Sequence, residues 1–158
     1  MNFTSKYKSP IGWLEIKTDE NSINSILFTD NEPEAFFPES EFIQKLKKDL
    51  DSYFQFGEWN FDYDLQPKGT EFQQKVWKEL LQIPFGKTIS YLDLAQKLGD
   101  EKVIRAAASA NGKNPISILI PCHRVIGKDG SLTGYEGGLQ RKKFLLELEG
   151  KLKQTELF

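Results

Sequence analysis

The chain of 158 residues contains one cysteine and one histidine, and they are adjacent, Cys122 and His123. Both sit in the run Ile-Leu-Ile-Pro-Cys-His-Arg-Val-Ile, Ile118 to Ile126, behind an apolar, strand-like segment. A thiol beside an imidazole points to thiolate chemistry. The thiolate is the nucleophilic form, and a cysteine of ordinary pKa is only a few per cent ionised at neutral pH, so a neighbouring base activates it. The competing reading is a cysteine buried as a small inert hydrophobe. Pro121 speaks against it, because proline interrupts the β-branched run and predicts a turn, with Cys122 partly exposed at a strand-to-turn junction.

Composition narrows what such a thiol can be for. A lone cysteine cannot form an internal disulfide, and one Cys with one His falls short of a zinc site unless carboxylates join them. No apolar run approaches the length of a membrane span, and Met1–Pro10 lacks the basic and apolar pattern of a signal peptide. The expectation is a soluble, cytoplasmic protein with a reduced thiol and no metal or cofactor. The net charge of −2 conceals an asymmetry. Residues 1–66 carry 6 Lys and 13 Asp plus Glu, while residues 67–158 carry 15 basic and 10 acidic residues. Within 101–128, Lys102, Arg105, Lys113, Arg124 and Lys128 face only Glu101. That segment attracts a polyanion, and the first half repels it.

The elements that must position the thiol divide near residue 66. Tyr7–Pro10 and Ile11–Lys17 predict strands around a turn, and Ser22–Thr29 a further strand after the turn Asp19-Glu20-Asn21. Ser40 caps a helix with Phe42, Ile43, Leu46, Leu50 and Tyr53 on one stripe, ending near Gly57. Trp59–Leu65 alternates like a short strand, and 66–69 form a linker. Thr70 caps a helix bearing Phe72, Val76, Trp77, Leu80 and Leu81, closed by Pro84 and Gly86. Ser90 caps a shorter helix through Leu98, Gly99 turns, and Asp100 caps a basic helix over Glu101–Asn111, giving a helix-turn-helix pattern. Gly134–Gly138 reads as a flexible loop, and Leu139–Glu149 as a closing helix.

The segments Gly69-Thr70-Glu71-Phe72-Gln73-Gln74-Lys75-Val76-Trp77, Pro84-Phe85-Gly86-Lys87-Thr88-Ile89-Ser90-Tyr91, Asn114-Pro115 and Ile120-Pro121-Cys122-His123-Arg124-Val125 come in this order. With Gly134-Tyr135, Gly137-Gly138 and the Leu148-Glu149-Gly150 end, they resemble the O6-alkylguanine-DNA alkyltransferases across residues 67–150. Ser9-Pro10-Ile11-Gly12 and Tyr53-Phe54 resemble that family's N-terminal domain more loosely.

The resemblance implies an α/β (α+β) N-terminal domain over 1–66, with a small sheet and a helix of ribonuclease H type. It implies a mainly helical C-terminal domain over 67–158 that binds DNA. It further implies a monomeric protein that moves an alkyl group from guanine O6 in double-stranded DNA irreversibly onto Cys122, O4-alkylthymine being a further possible substrate. His123 would be the base, reaching the thiol through a water, with Glu149 orienting the imidazole. The expected reason for that water is that adjacent side chains on an extended segment point apart. Tyr91 would protonate the departing base and Asn114 would tie the second helix to the Cys segment. Arg105 would fill the space left by a flipped nucleotide. Ala106, Ser109, Lys113, Arg124 and Lys128 would face DNA, the small residues permitting close approach in the minor groove. Val125, Tyr135, Glu136 and Gly137 would shape the alkyl pocket.

Three positions depart from the family pattern. Glu136 sets a carboxylate where a small residue is frequent, and Asp100 and Glu101 place negative charge at the start of the DNA-facing helix. Other readings of the same residues are a non-catalytic alkylation-damage sensor, a helix-turn-helix regulator with an incidental cysteine, and a cysteine hydrolase. The presence of Cys122 disfavours the first, and the adjacency of Cys and His the last.

Overall fold

The computed structural model describes residues 2–32, 39–130, 132, 135 and 138–150. The predicted Gly134–Gly138 loop therefore lies mostly outside the described residues, as do Glu136 and Gly137. Among the described residues no helix is long and apolar enough to cross a membrane. The described residues form a mixed α/β architecture, with two small sheets and five α-helices among them.

The chain divides into two compact units, Met1–Lys68 with Pro115–Leu119, and Gly69–Asn114 with Ile120–Phe158. A cut near residue 66 does not foresee that five residues of the second half belong to the first unit.

In the first unit, β1 (Phe3–Ser9), β2 (Gly12–Thr18) and β3 (Ser22–Thr29) form an antiparallel meander. Asp19 makes the β2–β3 turn by accepting from the backbone N–H groups of Asn21 and Ser22 at 2.8 and 2.7 Å. Helix α1 (Glu41–Phe56) is capped by the Ser40 hydroxyl and ends at Gly57, whose φ of 67° suits glycine. It buries Ile43, Leu46, Leu50 and Tyr53. The expected strand over Trp59–Leu65 shrinks to β4 (Asp64–Leu65), parallel to β3. Trp59 and Phe61 instead pack their rings on Tyr53, with centroids 5.7 and 5.6 Å away. Further along β3, the Ile26 N–H donates to the Pro115 carbonyl at 2.9 Å, and the Ser117 N–H donates to the Ile26 carbonyl at 2.8 Å.

The second unit is built on helices with strong start signals. Thr70 and Gln73 form a reciprocal capping box at the start of α2 (Glu71–Leu80), and Ser90 and Asp93 another at α3 (Tyr91–Lys97). The segment expected as one helix from Glu101 opens with a 3-10 turn, Glu101–Val103, and becomes α-helical only in α4 (Ile104–Gly112). Asp100 caps that 3-10 turn through the Lys102 N–H. The buried Trp77 donates its indole N–H to the Ala110 carbonyl at 2.9 Å, locking α2 to α4. A Cβ on Gly69 would lie 2.4 Å from the Trp77 ring, so only glycine fits there. Two short strands, β5 (Ile89–Ser90) and β6 (Val125–Ile126), pair in parallel, and α5 (Leu139–Leu148) closes the unit.

The strand expected ahead of Cys122 does not form. Ile118 is buried with φ at +75°, the left-handed region that β-branched residues avoid, and Cys122–Arg124 make a 3-10 turn. Ordered β-structure resumes only at Val125. Pro121 has no N–H for a ladder, and the carbonyls of Ser117, Ile120 and Pro121 accept from the nearby backbone N–H groups of Leu119, Cys122 and Arg124 instead of from a neighbouring strand.

Candidate active site

Cys122 is 6% exposed, so the partial exposure expected of a strand-to-turn junction is corrected to burial. The cause is the 3-10 turn, which folds the residue inward among donors from three elements. From α4, Asn111 Nδ2 donates to the Cys122 carbonyl at 3.3 Å. Just beyond that helix, Asn114 Nδ2 donates to the Ile120 carbonyl at 2.7 Å. From α5, Lys142 Nζ donates to the Val125 carbonyl at 2.5 Å. Three carbonyls within six residues are thus held by side-chain donors, which fixes the peptide planes on either side of the thiol.

His123 is fully buried, and its Nε2 lies 2.8 Å from Glu149 Oε2. Glu149 also receives Arg124, with Nε to Oε1 at 2.7 Å and Nη2 to Oε2 at 3.1 Å, a two-pronged guanidinium–carboxylate pair. Burial pushes the Glu149 carboxyl up, but the His123 ring and the hydrogen bonds from His123 and Arg124 outweigh it and bring its pKa to about 2. An ionised carboxylate only accepts, so the proton of the neutral imidazole sits on Nε2 and the lone pair on Nδ1. Nδ1 is buried and meets no hydrogen-bonding side chain or backbone group among the described residues. Consecutive side chains in a 3-10 turn are about 120° apart. The extended-chain geometry expected to point thiol and imidazole in opposite directions therefore does not apply here.

Arg124 corrects a further expectation. The family resemblance places its basic side chain at DNA, but it is 2% exposed, pairs with Glu149, donates Nη1 to the Ile83 carbonyl at 2.9 Å and lies over Phe85, 5.6 Å from the ring centroid. Sequence reasoning counted it by charge, and charge does not distinguish a surface cation from a buried one. Gly86, with φ at +77°, belongs to the same turn; a Cβ there would come within 3.3 Å of the Glu149 carbonyl.

Lys142 is the site residue that sequence reasoning missed. It is fully buried, its Nζ lies 5.8 Å from the centroid of the Tyr91 ring, and burial brings its pKa down from 10.5 to about 8, against an opposing pull from Cys122. A buried ammonium beside a thiol favours the thiolate. The available signal was its place on α5 with Leu145 and Leu146, three and four residues on, on the inward side of the helix.

The remaining predicted residues separate cleanly. Tyr91 opens α3 and is half-buried, and Val125 and Tyr135 are buried. Arg105, Ala106, Ser109 and Lys113 are exposed, while Ala107, Ala110 and Asn111 on the same helix are buried. Lys128 is exposed after β6.

Residues 71–151 match the profile described as 6-O-methylguanine DNA methyltransferase, DNA binding domain. A methylated-DNA–protein-cysteine methyltransferase of Methanosarcina acetivorans is 42% identical over 149 residues, covering 91% of this chain and 96% of the relative. The chain belongs to the 6-O-methylguanine DNA methyltransferase family. Another methyltransferase of that name, from Haemophilus influenzae, is 42% identical over 90% of this chain and 83% of its own length. Among solved structures, the O6-methylguanine methyltransferase of Mycobacterium tuberculosis superimposes with a TM-score of 0.83 at 40% identity, covering 94% of this chain and 93% of that one. The structure of Mycobacterium tuberculosis OGT in complex with DNA gives 0.81 at 41% identity, over 91% and 90%.

Proposed function

We propose that this protein repairs alkylated DNA directly, moving an alkyl group from guanine O6 to the sulfur of Cys122 in one stoichiometric, irreversible step. The observation that carries the reading is the buried His123 ring, next in sequence to the chain's only cysteine, with Nε2 turned to an ionised Glu149 and Nδ1 left as an acceptor. Nδ1 takes the thiol proton through a water. Glu149 steadies the imidazolium, and Arg124 shares that carboxylate. The thiolate attacks the alkyl carbon in line; the carbon–sulfur bond forms as the carbon–O6 bond breaks. The departing guanine leaves as an anion and is protonated by the Tyr91 hydroxyl. With thiolate formed, Cys122 and Glu149 carry the buried negative charges, and Lys142, Arg124 and the His123 imidazolium the positive ones.

The DNA-binding and alkyltransferase work belongs to the second unit, and α3, the Gly99 turn and α4 act as its helix-turn-helix. Its exposed Arg105, Ala106, Ser109 and Lys113, with Lys128, face the duplex, and the target nucleotide flips into a pocket shaped by Val125 and Tyr135. The first unit, a mixed sheet beside one helix, is of ribonuclease H type. The protein works as a cytoplasmic monomer.

The test is mass spectrometry of the intact protein and its peptides after mixing with excess duplex containing O6-methylguanine. One methyl group appears on the Cys122 peptide and none on Cys122→Ala. Unmodified wild-type protein that still prefers the lesion would make it a damage sensor, and many turnovers per molecule would refute suicide transfer. A second expectation concerns flipping: Arg105→Ala slows repair of duplex at least tenfold more than reaction with the free modified base. Equal loss on both substrates in single-turnover assays would remove Arg105 from that role.

A further inference from the structure

Helix α4 has two faces with different chemistry. Outward it presents Arg105, Ala106 and Ser109, and inward Ala107, Ala110 and Asn111. Asn111 is 1% exposed and gives one amide hydrogen to the Cys122 carbonyl. Its Oδ1 is fully buried and has no protein partner among the described residues. A buried, half-satisfied amide destabilises a fold relative to an apolar side chain of the same shape. The Cys122 carbonyl already accepts from the Val125 N–H, so the turn does not need Asn111 to satisfy it. An asparagine kept at such a place serves something other than stability.

We propose that Asn111 is a positioning residue for the nucleophile. Through the Cys122 carbonyl it fixes the peptide that carries Sγ to the inner side of the same helix whose outer side meets the duplex. Asn114 restrains the Ile120 carbonyl, on the far side of Pro121, so the two amides set both ends of the dipeptide that aims the thiol. Engagement of DNA by the outer face then bears on the aim of the thiol across the width of one helix. The inference rests on Cys122 being the alkyl acceptor.

The experiment is Asn111→Leu, which keeps the approximate shape and removes both polar atoms. Three quantities are read on wild type and variant: the limiting single-turnover rate of methyl transfer at saturating duplex, the duplex concentration giving half that rate, and the melting temperature. The expected result is a limiting rate at least tenfold lower, a half-saturating concentration within twofold, and melting no lower than wild type. A limiting rate within twofold of wild type overturns the proposal. So does a loss accompanied by a melting temperature that falls in step, which would make Asn111 a structural residue, or a loss confined to half-saturation, which would make it a DNA contact. If the Leu variant does not fold, Asn111→Asp keeps the shape and removes the donor, and the same three readings decide. Failure of the wild-type protein to accept methyl at all would instead refute the functional reading, so the two failures are distinguishable.

Discussion

Glu149→Gln melts about 6 to 20 °C below the wild-type protein. The carboxylate is fully buried and serves two partners, His123 Nε2 and the Arg124 guanidinium. Glutamine keeps the shape but turns one acceptor into a donor and leaves Arg124 charged, buried and unneutralised. Breaking a buried ion pair from one side costs about 3–5 kcal/mol, and each kcal/mol moves the melting temperature of a chain this size by about 2–4 °C. Acid dependence changes with it. The Glu149 pKa is depressed from 4.5 to about 2, so its contribution is fully present above pH 4.5 and is lost as pH falls towards 2. Wild type therefore loses stability across that window more steeply than Glu149→Gln. The double variant Glu149→Gln with Arg124→Met should melt above the single one, because no uncompensated charge remains. Calorimetry of the three proteins between pH 2 and 7 checks this, and a single variant that melts within about 2 °C of wild type would contradict the buried-pair account.

Lys142→Met slows methyl transfer at neutral pH about tenfold while leaving the fold intact. Methionine fills nearly the same volume and removes the desolvation cost of the ammonium, which offsets the lost hydrogen bond to the Val125 carbonyl. What disappears is the positive charge beside the thiolate. Loss of such a neighbour raises a thiol's pKa by about one unit, which at pH 7 is about a tenfold smaller thiolate fraction. Single-turnover rates between pH 6 and 9.5 should show the half-maximal point moving upward in the variant; coincident profiles would sink the idea. Stability carries a second signature. The Lys142 pKa falls from 10.5 to about 8 on folding, so between those values the unfolded chain holds a proton the folded one lacks. Wild-type stability therefore gains a favourable increment as pH rises from 8 to 10.5, and Lys142→Met does not.

Local chemistry made much of this legible. The caps at Ser40, Thr70 and Ser90 announce helices α1, α2 and α3, because a hydroxyl satisfying the first free N–H groups is a short-range event. The Cys122–His123 pair announces its own chemistry, and the Pro-Cys-His-Arg flanks carry a specific family resemblance. What sequence patterns miss is burial at a distance. Arg124 reads as one more basic residue until Glu149, twenty-five positions on, takes it inside. Ile118-Leu119-Ile120 has the composition of a strand, yet local backbone bonds from Leu119 to Ser117 and from Cys122 to Ile120, with Asn114 on the Ile120 carbonyl, take the place of a ladder, and the chain turns instead. The aromatic alternation of Trp59 and Phe61 fits a strand equally well, and edge-on and tilted ring packing against Tyr53 wins.

The Ile26 clasp on Pro115 and Ser117 gives the protein a built-in strain gauge. The Ser117 amide hydrogen is held by the first unit, although it lies only five residues ahead of Cys122. Its exchange with solvent is governed by opening of the β-meander, whereas that of the Trp77 indole, bonded to Ala110, follows the second unit. Deuterium uptake at those two hydrogens before and after alkylation of Cys122 would separate loosening that stays within the second unit from loosening that spreads along the chain to Ser117 and the first unit.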